Sequence, residues 1–339
     1  MRHVAEAPGP LTFTLLRLLE DGNFHSGEDM ARQLGVSRAS VHNALSQAEE
    51  YGLTLFRVRG RGYCLKNPPE WLDAAVVAGH LGARGSDFHI SVQEHASSTN
   101  TELMRQAAQG APAGAVLAAE WQSAGRGRMG RRWHAGLGNA LTFSLLWRFE
   151  RGLGALSGLS LAVGVAIIRA LRAAGVEGAQ LKWPNDILNE KGAKLGGVLI
   201  EAQGDMLGPA AAVIGIGLNR ALPPAVAGRI DREAAALTDT VADLPGRNRL
   251  LALLLAELTD MLDDFAARGF APLRAEWEAC HALQDRRVRL SLPDGSQVSG
   301  IARGVTDEGA LQLEIAGGVV KIFHAGEISL RAEAQHAAA

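Results

Sequence analysis

The apolar periodicity of this chain changes twice, and that divides it into stretches that no single layer architecture would hold. From Leu11 to about Lys66, short helical patterns end in a Gly- and Arg-rich ribbon. From about Phe88 to Cys280, strand-like runs alternate with helix-like runs. From Arg287 to Leu330, only short alternating strands remain, punctuated by Gly and Asp. Asn67-Pro68-Pro69 marks the first seam, because paired prolines extend neither a helix nor a ladder; a softer seam lies near Gln284-Asp285. The chain is therefore expected to be an α+β multidomain protein. Its expected parts are a winged helix-turn-helix over 1–66, a linker over 67–87, a unit of mixed sheet and helices over 88–284, and an SH3-like β-barrel over 285–331.

Composition excludes several classes. A net charge of −2 rules out a uniformly basic nucleic-acid coat while permitting a local basic surface. No apolar run reaches the roughly 18 residues of a membrane span. Met1–Glu6 lacks the apolar core of a secretory signal. Cys64 and Cys280 are far apart, so neither a disulfide framework nor a cysteine metal site is expected. A soluble cytoplasmic protein with no membrane partner follows.

In the first stretch, Leu11, Leu15, Leu18 and Leu19 recur at helical spacing and stop at Asp21-Gly22. Ser26 is placed to cap a second helix with Glu28 and Asp29 in its first turn, where the helix dipole favours them. Ala31, Gly35 and Val41 have helix-turn-helix spacing: a small residue for close approach, a glycine for the bend, and an apolar residue to lock the next helix. Ser37 caps that next helix, and Ser37, Arg38, Ser40, His42 and Asn43 form the polar face that would meet base edges. The ribbon Leu55–Leu65 turns at Gly60 and Gly62 and reads as a wing, its Arg57, Arg59 and Arg61 placed for phosphates. The alternative is a packing unit whose arginines are simply solvated.

In the central stretch, Gly125-Arg-Gly-Arg-Met-Gly130 matches the letters of the dinucleotide fingerprint but not its physics. The glycine-broken segment that follows cannot open the helix whose N-terminus would hold a pyrophosphate. The segment is expected to be a flexible loop after the strand Ala115–Gln122. There Arg126, Arg128, Arg131 and Arg132 repel one another until a bound polyanion offsets them. Such a loop would be mobile when empty and order on ligand binding. A second DNA-binding patch is the competing reading, and the loop's place beside a core strand favours a small molecule.

Ser98-Thr-Asn100, Gln122 with Gly125–Arg131, Lys182-Trp-Pro-Asn-Asp186, Lys194-Leu-Gly-Gly197 and Gly215-Ile-Gly-Leu-Asn219 occur in that order. Together they closely resemble the biotin protein ligases. With the winged helix, the chain is similar to the bifunctional subgroup that also represses biotin synthesis. The resemblance implies a class II synthetase-like centre that joins biotin and ATP, with Mg²⁺ on the phosphates, into biotinyl-5′-AMP. It then transfers biotin to a lysine of the biotin carboxyl carrier protein of acetyl-CoA carboxylase.

The resemblance also assigns roles. Ser98, Thr99, Asn100 and Gln122 would bind biotin, and Gly125 and Gly197 would let the backbone pass close to it. Arg126 and Arg128 would close over biotin and the adenylate, and Lys194 would contact the reacting oxygens. Arg131, Trp133 and Asn219 would serve the adenylate. Lys182 is either a phosphate contact or a structural ion-pair partner. Asp186 either orients the acceptor lysine or merely forms a turn beside Pro184. No metal site of protein ligands alone is expected. Operator DNA and a homodimer formed with biotinyl-5′-AMP are the further partners implied. A biotin-sensing regulator with little catalysis, and a lipoate ligase, are the alternatives. His281 and His324 have no ligand-spaced partners and read as ordinary histidines.

Overall fold

The computed structural model describes residues 7–324 and 329–332; the leading Met1–Glu6 lies outside them. Three helices open the fold: α1 (Pro10–Leu18), α2 (Gly27–Leu34) and α3 (Arg38–Ser46). The Ser26 side chain accepts from the N–H groups of Glu28 and Asp29, and Ser37 accepts from Ser40 N–H, satisfying donors that a helix start leaves open. Gly35 turns between α2 and α3 at φ +65°, a conformation a side chain would strain. β1 (Leu55–Val58) and β2 (Gly62–Leu65) pair antiparallel as the wing. Phe13, Leu16, Val41 and Leu45 are the core of this winged helix-turn-helix.

That core does not close on itself. It continues through Trp71, Trp121 and Leu137 of the next unit. Tyr51 packs edge-on against Trp121 at 5.3 Å, and Phe13 against Trp71 at 6.4 Å. The stretch 67–87 is more than a connector. It contains α4 (Ala74–Leu81), capped by Asp73, and it sends Leu72, Val77 and Leu81 into the main core. The prolines bend the chain there without detaching it, because apolar residues resume at Trp71.

The central sheet comprises β3 (His89–Ala96), β4 (Ala115–Gln122), β5 (Ala140–Phe149), β6 (Gln180–Lys182), β7 (Asp186–Leu188), β8 (Lys194–Gly204) and β9 (Ala210–Asn219), in the order β3-β4-β5-β9-β8-β7-β6. β3 and β4 run parallel, linked through α5 (Thr99–Ala108); the other pairs are antiparallel. Both faces of β4 are covered, which is why it reads as an unbroken apolar run. Val116 and Ala118 join the main core, while Ala115 and Leu117 pack with Leu103 and Ala107 of α5. On the main-core face lies α6 (Leu159–Ala173), buried along most of its length. Between β9 and the long helix α8 (Arg247–Arg268), a loop segment contains the single-turn helix α7 (Pro224–Ala227).

After α9 (Arg274–Ala279) come β10 (Arg287–Ser291), β11 (Gln297–Val305), β12 (Leu311–Glu314), β13 (Val320–Phe323) and β14 (Ser329–Ala332), antiparallel in the order β13-β12-β11-β10-β14. No ladder joins the two edge strands among the described residues. Val288, Leu290, Val305 and Leu311 share the main core, and the buried Trp183 indole donates to Gly309 O at 3.1 Å, tying this sheet to the central one.

His281 is a core histidine, 6% exposed, its ring 4.5 Å from that of Trp277. Burial pushes its pKa down to about 4. The folded protein therefore holds a neutral imidazole that the unfolded chain protonates below about 6.5. Stability is complete above that value and falls as the pH drops toward 4, by about 3 kcal/mol in total from this group. Urea unfolding at pH 7 and at 4.5 should show the loss, and His281→Gln should flatten it. An unchanged pH slope in that variant would refute the assignment.

Candidate active site

The carboxyl ends of β4 and β9 and the start of β8 face a cavity of about 790 Å³. On one wall Ser98 caps α5, and Thr99 N–H donates to Gln122 Oε1 at 2.7 Å. Ser144 of β5, fully buried, places its Oγ 2.7 Å from Thr99 Oγ1 and 2.6 Å from Asn100 Oδ1. Asn100 also donates to Leu199 O at 3.1 Å and to Glu201 Oε2 at 2.9 Å. Its amide, expected as a ligand contact, thus reaches the cavity wall with every group engaged; it ties α5 to β8. Glycines make the room. A Cβ at Gly215 would lie 2.1 Å from Asn100 Oδ1, and one at Gly217 would lie 2.6 Å from the Trp133 ring.

The arginine segment folds as a small hairpin rather than an irregular loop. Trp133 N–H donates to Gly125 O at 2.9 Å and Gly127 N–H to Arg131 O at 2.7 Å, with Met129 at φ +57° on the exposed tip. Arg126 lines the cavity but is already engaged. Its guanidinium binds the Glu201 carboxylate at 2.9 Å and Thr101 Oγ1 at 2.9 Å. Arg132 donates to Ser123 O, back along its own segment. Arg128 is half-buried; desolvation lowers its pKa and Asp186 opposes that fall. Arg131 and Trp133 line the cavity, and the Trp133 Nε1 is buried without a partner among the described residues.

On the other wall, Lys194 opens β8 and pairs with Asp186, which opens β7. Burial pushes the Lys194 pKa down and contact with Asp186 opposes it; burial also depresses Lys182, with Asp186 again opposing. A Cβ at Gly197 would lie 3.0 Å from Lys194 Nζ, so this glycine also clears the path of the lysine. Asn219 donates to Lys194 O and Ala235 O at 3.3 and 3.2 Å, pinning the segment after α7 beside the start of β8. Asp186 also receives Arg232 Nη1 at 3.2 Å. Sequence reasoning missed Glu201, Arg232 and Ser144. Glu201 follows Lys194-Leu-Gly-Gly197 on the same strand and could have been suspected; Arg232 lies in no recognisable pattern. Nine Arg and Lys residues line the cavity, against two acidic ones, Asp186 and Asp231, with Glu201 outside the lining pairing Arg126.

Residues 92–219 match the Biotin/lipoate A/B protein ligase family, 285–331 the Biotin protein ligase C terminal domain, and 12–64 an HTH domain. The chain is 37% identical to the Bifunctional ligase/repressor BirA of Escherichia coli (strain K12), over 94% of this chain and 96% of that protein. It belongs to the biotin protein ligase family. The Biotin--[acetyl-CoA-carboxylase] ligase of Mycobacterium tuberculosis is 36% identical over 78% of this chain and 97% of its own. The structure of the Aquifex aeolicus biotin protein ligase in complex with biotin and ATP superposes with a TM-score of 0.60 at 25% identity, covering 72% of this chain and 99% of that one.

As a biotin protein ligase with an N-terminal helix-turn-helix, the chain presents Arg38, His42 and Asn43 of α3 and Arg57, Arg59 and Arg61 of the wing as exposed side chains. Several of these residues also have partners within the protein. Arg57 donates to Leu45 O and Ser46 O at the end of α3, at 2.8 and 3.1 Å, which makes it a helix cap. Arg61 stacks over Phe24 at 4.0 Å. The Ser37 hydroxyl is used in capping and bonds Ser40, and His42 Nδ1 lies 3.3 Å from the Tyr63 hydroxyl.

Proposed function

We propose that this protein activates biotin with ATP, transfers it to a lysine of a biotin carboxyl carrier protein, and binds operator DNA as a biotin-responsive repressor. The excess of nine cations over two carboxylates around one cavity supports this reading best. A biotin carboxylate oxygen attacks the α-phosphorus of ATP, and the bond to pyrophosphate breaks. Two anions must meet while negative charge departs, so fixed cations lower that barrier. In the second step the carrier amine attacks the acyl carbon, AMP leaves, and the amine loses a proton.

In this assignment Ser98, Thr99 and Gln122 hold the ring end of biotin, with Asn100 fixing the wall behind them. Gly125 and Gly197 let the backbone approach. Arg128 and Lys194 face the carboxylate and phosphate, and Arg126 joins them when it leaves Glu201. Arg131, Trp133 and Asn219 surround the adenosine, and Lys182 meets phosphate. Asp186, engaged with Lys194 and Arg232, orients the lysine ammonium rather than serving the acceptor. Among the described residues no three His, Cys, Asp or Glu cluster to hold a metal. Mg²⁺ would be carried in on the ATP phosphates, where it would neutralise part of their charge. A homodimer formed with biotinyl-5′-AMP would present two winged helices to one operator.

Exchange of labelled pyrophosphate into ATP tests the enzyme. It should require biotin and ignore lipoate; exchange without biotin dependence defeats the reading, and lipoate-driven exchange redirects it. A mobility shift on the promoter of the biotin-synthesis genes should strengthen when biotin and ATP are added together. No shift under any condition removes the repressor half.

A further inference from the structure

Arg232 stands out because two backbone hydrogen bonds hold its segment against the start of β8. Lys194 N–H donates to Glu233 O at 3.1 Å, and Ala235 N–H donates to Lys194 O at 2.9 Å. The guanidinium is thereby held beside Lys194, and both cations grip one carboxylate, Asp186. Lys182 and Arg331 also line the cavity, and Lys182 feels the charges of Asp186, Arg232, Lys194 and Arg331. These four cations outnumber the two carboxylates of the lining, Asp186 and Asp231, and the excess of about two charges calls for a bound anion. The phosphate of the acyl-adenylate supplies only one of these charges, and the departing pyrophosphate supplies the rest. The Arg232 side chain is about one-third exposed (36%), so it can exchange a carboxylate oxygen for a phosphate oxygen without disturbing the fold.

We propose that Arg232 is a further catalytic residue that leaves Asp186 for the β- and γ-phosphates of ATP and holds the leaving pyrophosphate. The inference rests on the ligase reading above. It separates the two half-reactions, because pyrophosphate takes part in the first and is absent from the second.

The test uses the full chain as wild type, Arg232→Ala and Arg232→Lys. In Arg232→Ala, adenylate formation should fall on the order of 10- to 100-fold, the loss expected for one charge-assisted contact made to the leaving group. Inhibition by inorganic pyrophosphate should weaken about as much. Single-turnover transfer from preformed biotinyl-5′-AMP to the carrier protein should stay within about twofold of wild type, since it involves no pyrophosphate. Arg232→Lys, which keeps the charge but not the fork, should recover part of the first step. Equal loss in both half-reactions with unchanged pyrophosphate inhibition would overturn the proposal and leave Arg232 as a positioning residue for Asp186. No loss in either step would overturn it as well. Absence of biotin-dependent exchange in the wild-type protein would instead defeat the ligase reading itself, so the two failures are distinguishable.

Discussion

Replacing Lys194 with alanine is expected to lower the rate of biotinyl-5′-AMP formation by about 10²–10³-fold, the usual cost of removing one preorganised group from developing negative charge. The ammonium is fixed from three directions. Asp186 binds its Nζ, Gly197 clears the path of the side chain, and the Lys194 backbone is hydrogen-bonded on both sides to the segment after α7. Burial already weakens its hold on the proton, and the pair with Asp186 counters that. Lys194→Ala therefore leaves Asp186 paired with Arg232 and brings a less compensated carboxylate to the reacting oxygens. The double variant Lys194→Ala/Asp186→Asn separates these effects. If the repulsion contributes, it should be faster than Lys194→Ala alone while still well below wild type. Adenylate formation measured in a single turnover, with thermal unfolding as a fold control, decides it. A loss smaller than about tenfold in a folded Lys194→Ala protein would remove Lys194 from the reacting centre.

What was legible in the chain was local. Ser26, Gly35, Ser37 and the Asp-Gly turns act within a few residues of themselves, and the structure places caps and turns where those residues stand. The glycine-broken segment after Gly130 forms no helix, as its composition required. Side-chain destinations over longer distance were not legible. Arg57 looked like a phosphate contact because alternation places it on the wing, yet its length lets it reach the carbonyls that end α3. Arg126 looked ligand-facing because of its motif, yet Glu201, 75 positions away, takes its charge. Arg232 meets Asp186 across 46 positions, from a segment with no periodicity to mark it. Such pairings depend on which strand ends the sheet brings together, and a chain of one sequence does not display its strand order.

The largest expected stability effect lies outside the cavity, at the Glu120–Arg247 pair. Their side chains are 0% and 1% exposed and bond at 2.6 Å. Glu120 also accepts from Leu72 N–H at 2.7 Å, and Arg247 donates to Glu70 O at 2.8 Å, so β4, α8 and the chain leaving the wing meet there. Asn248 extends the node to the Glu70 carboxylate and Trp71 O at 2.8 and 2.9 Å. Arg247 is not fully served: its Nε and Nη2 have no hydrogen-bond partner among the described residues. Glu120→Gln would leave a buried guanidinium without its carboxylate, a change that costs about 3–5 kcal/mol in buried pairs. The nearby Glu70 carboxylate offsets part of this and places the expected value near the lower end. Removing both charges together should cost less than removing one, because Glu120→Leu/Arg247→Met deletes the attraction and both desolvation penalties at once. Urea unfolding of Glu120→Leu, Arg247→Met and the double, compared by midpoint at constant m-value, measures the coupling, with Glu120→Gln alongside. A Glu120→Gln protein within about 1 kcal/mol of wild type would mean that water or Glu70 already neutralises Arg247, and the node would then be a packing contact rather than an electrostatic one.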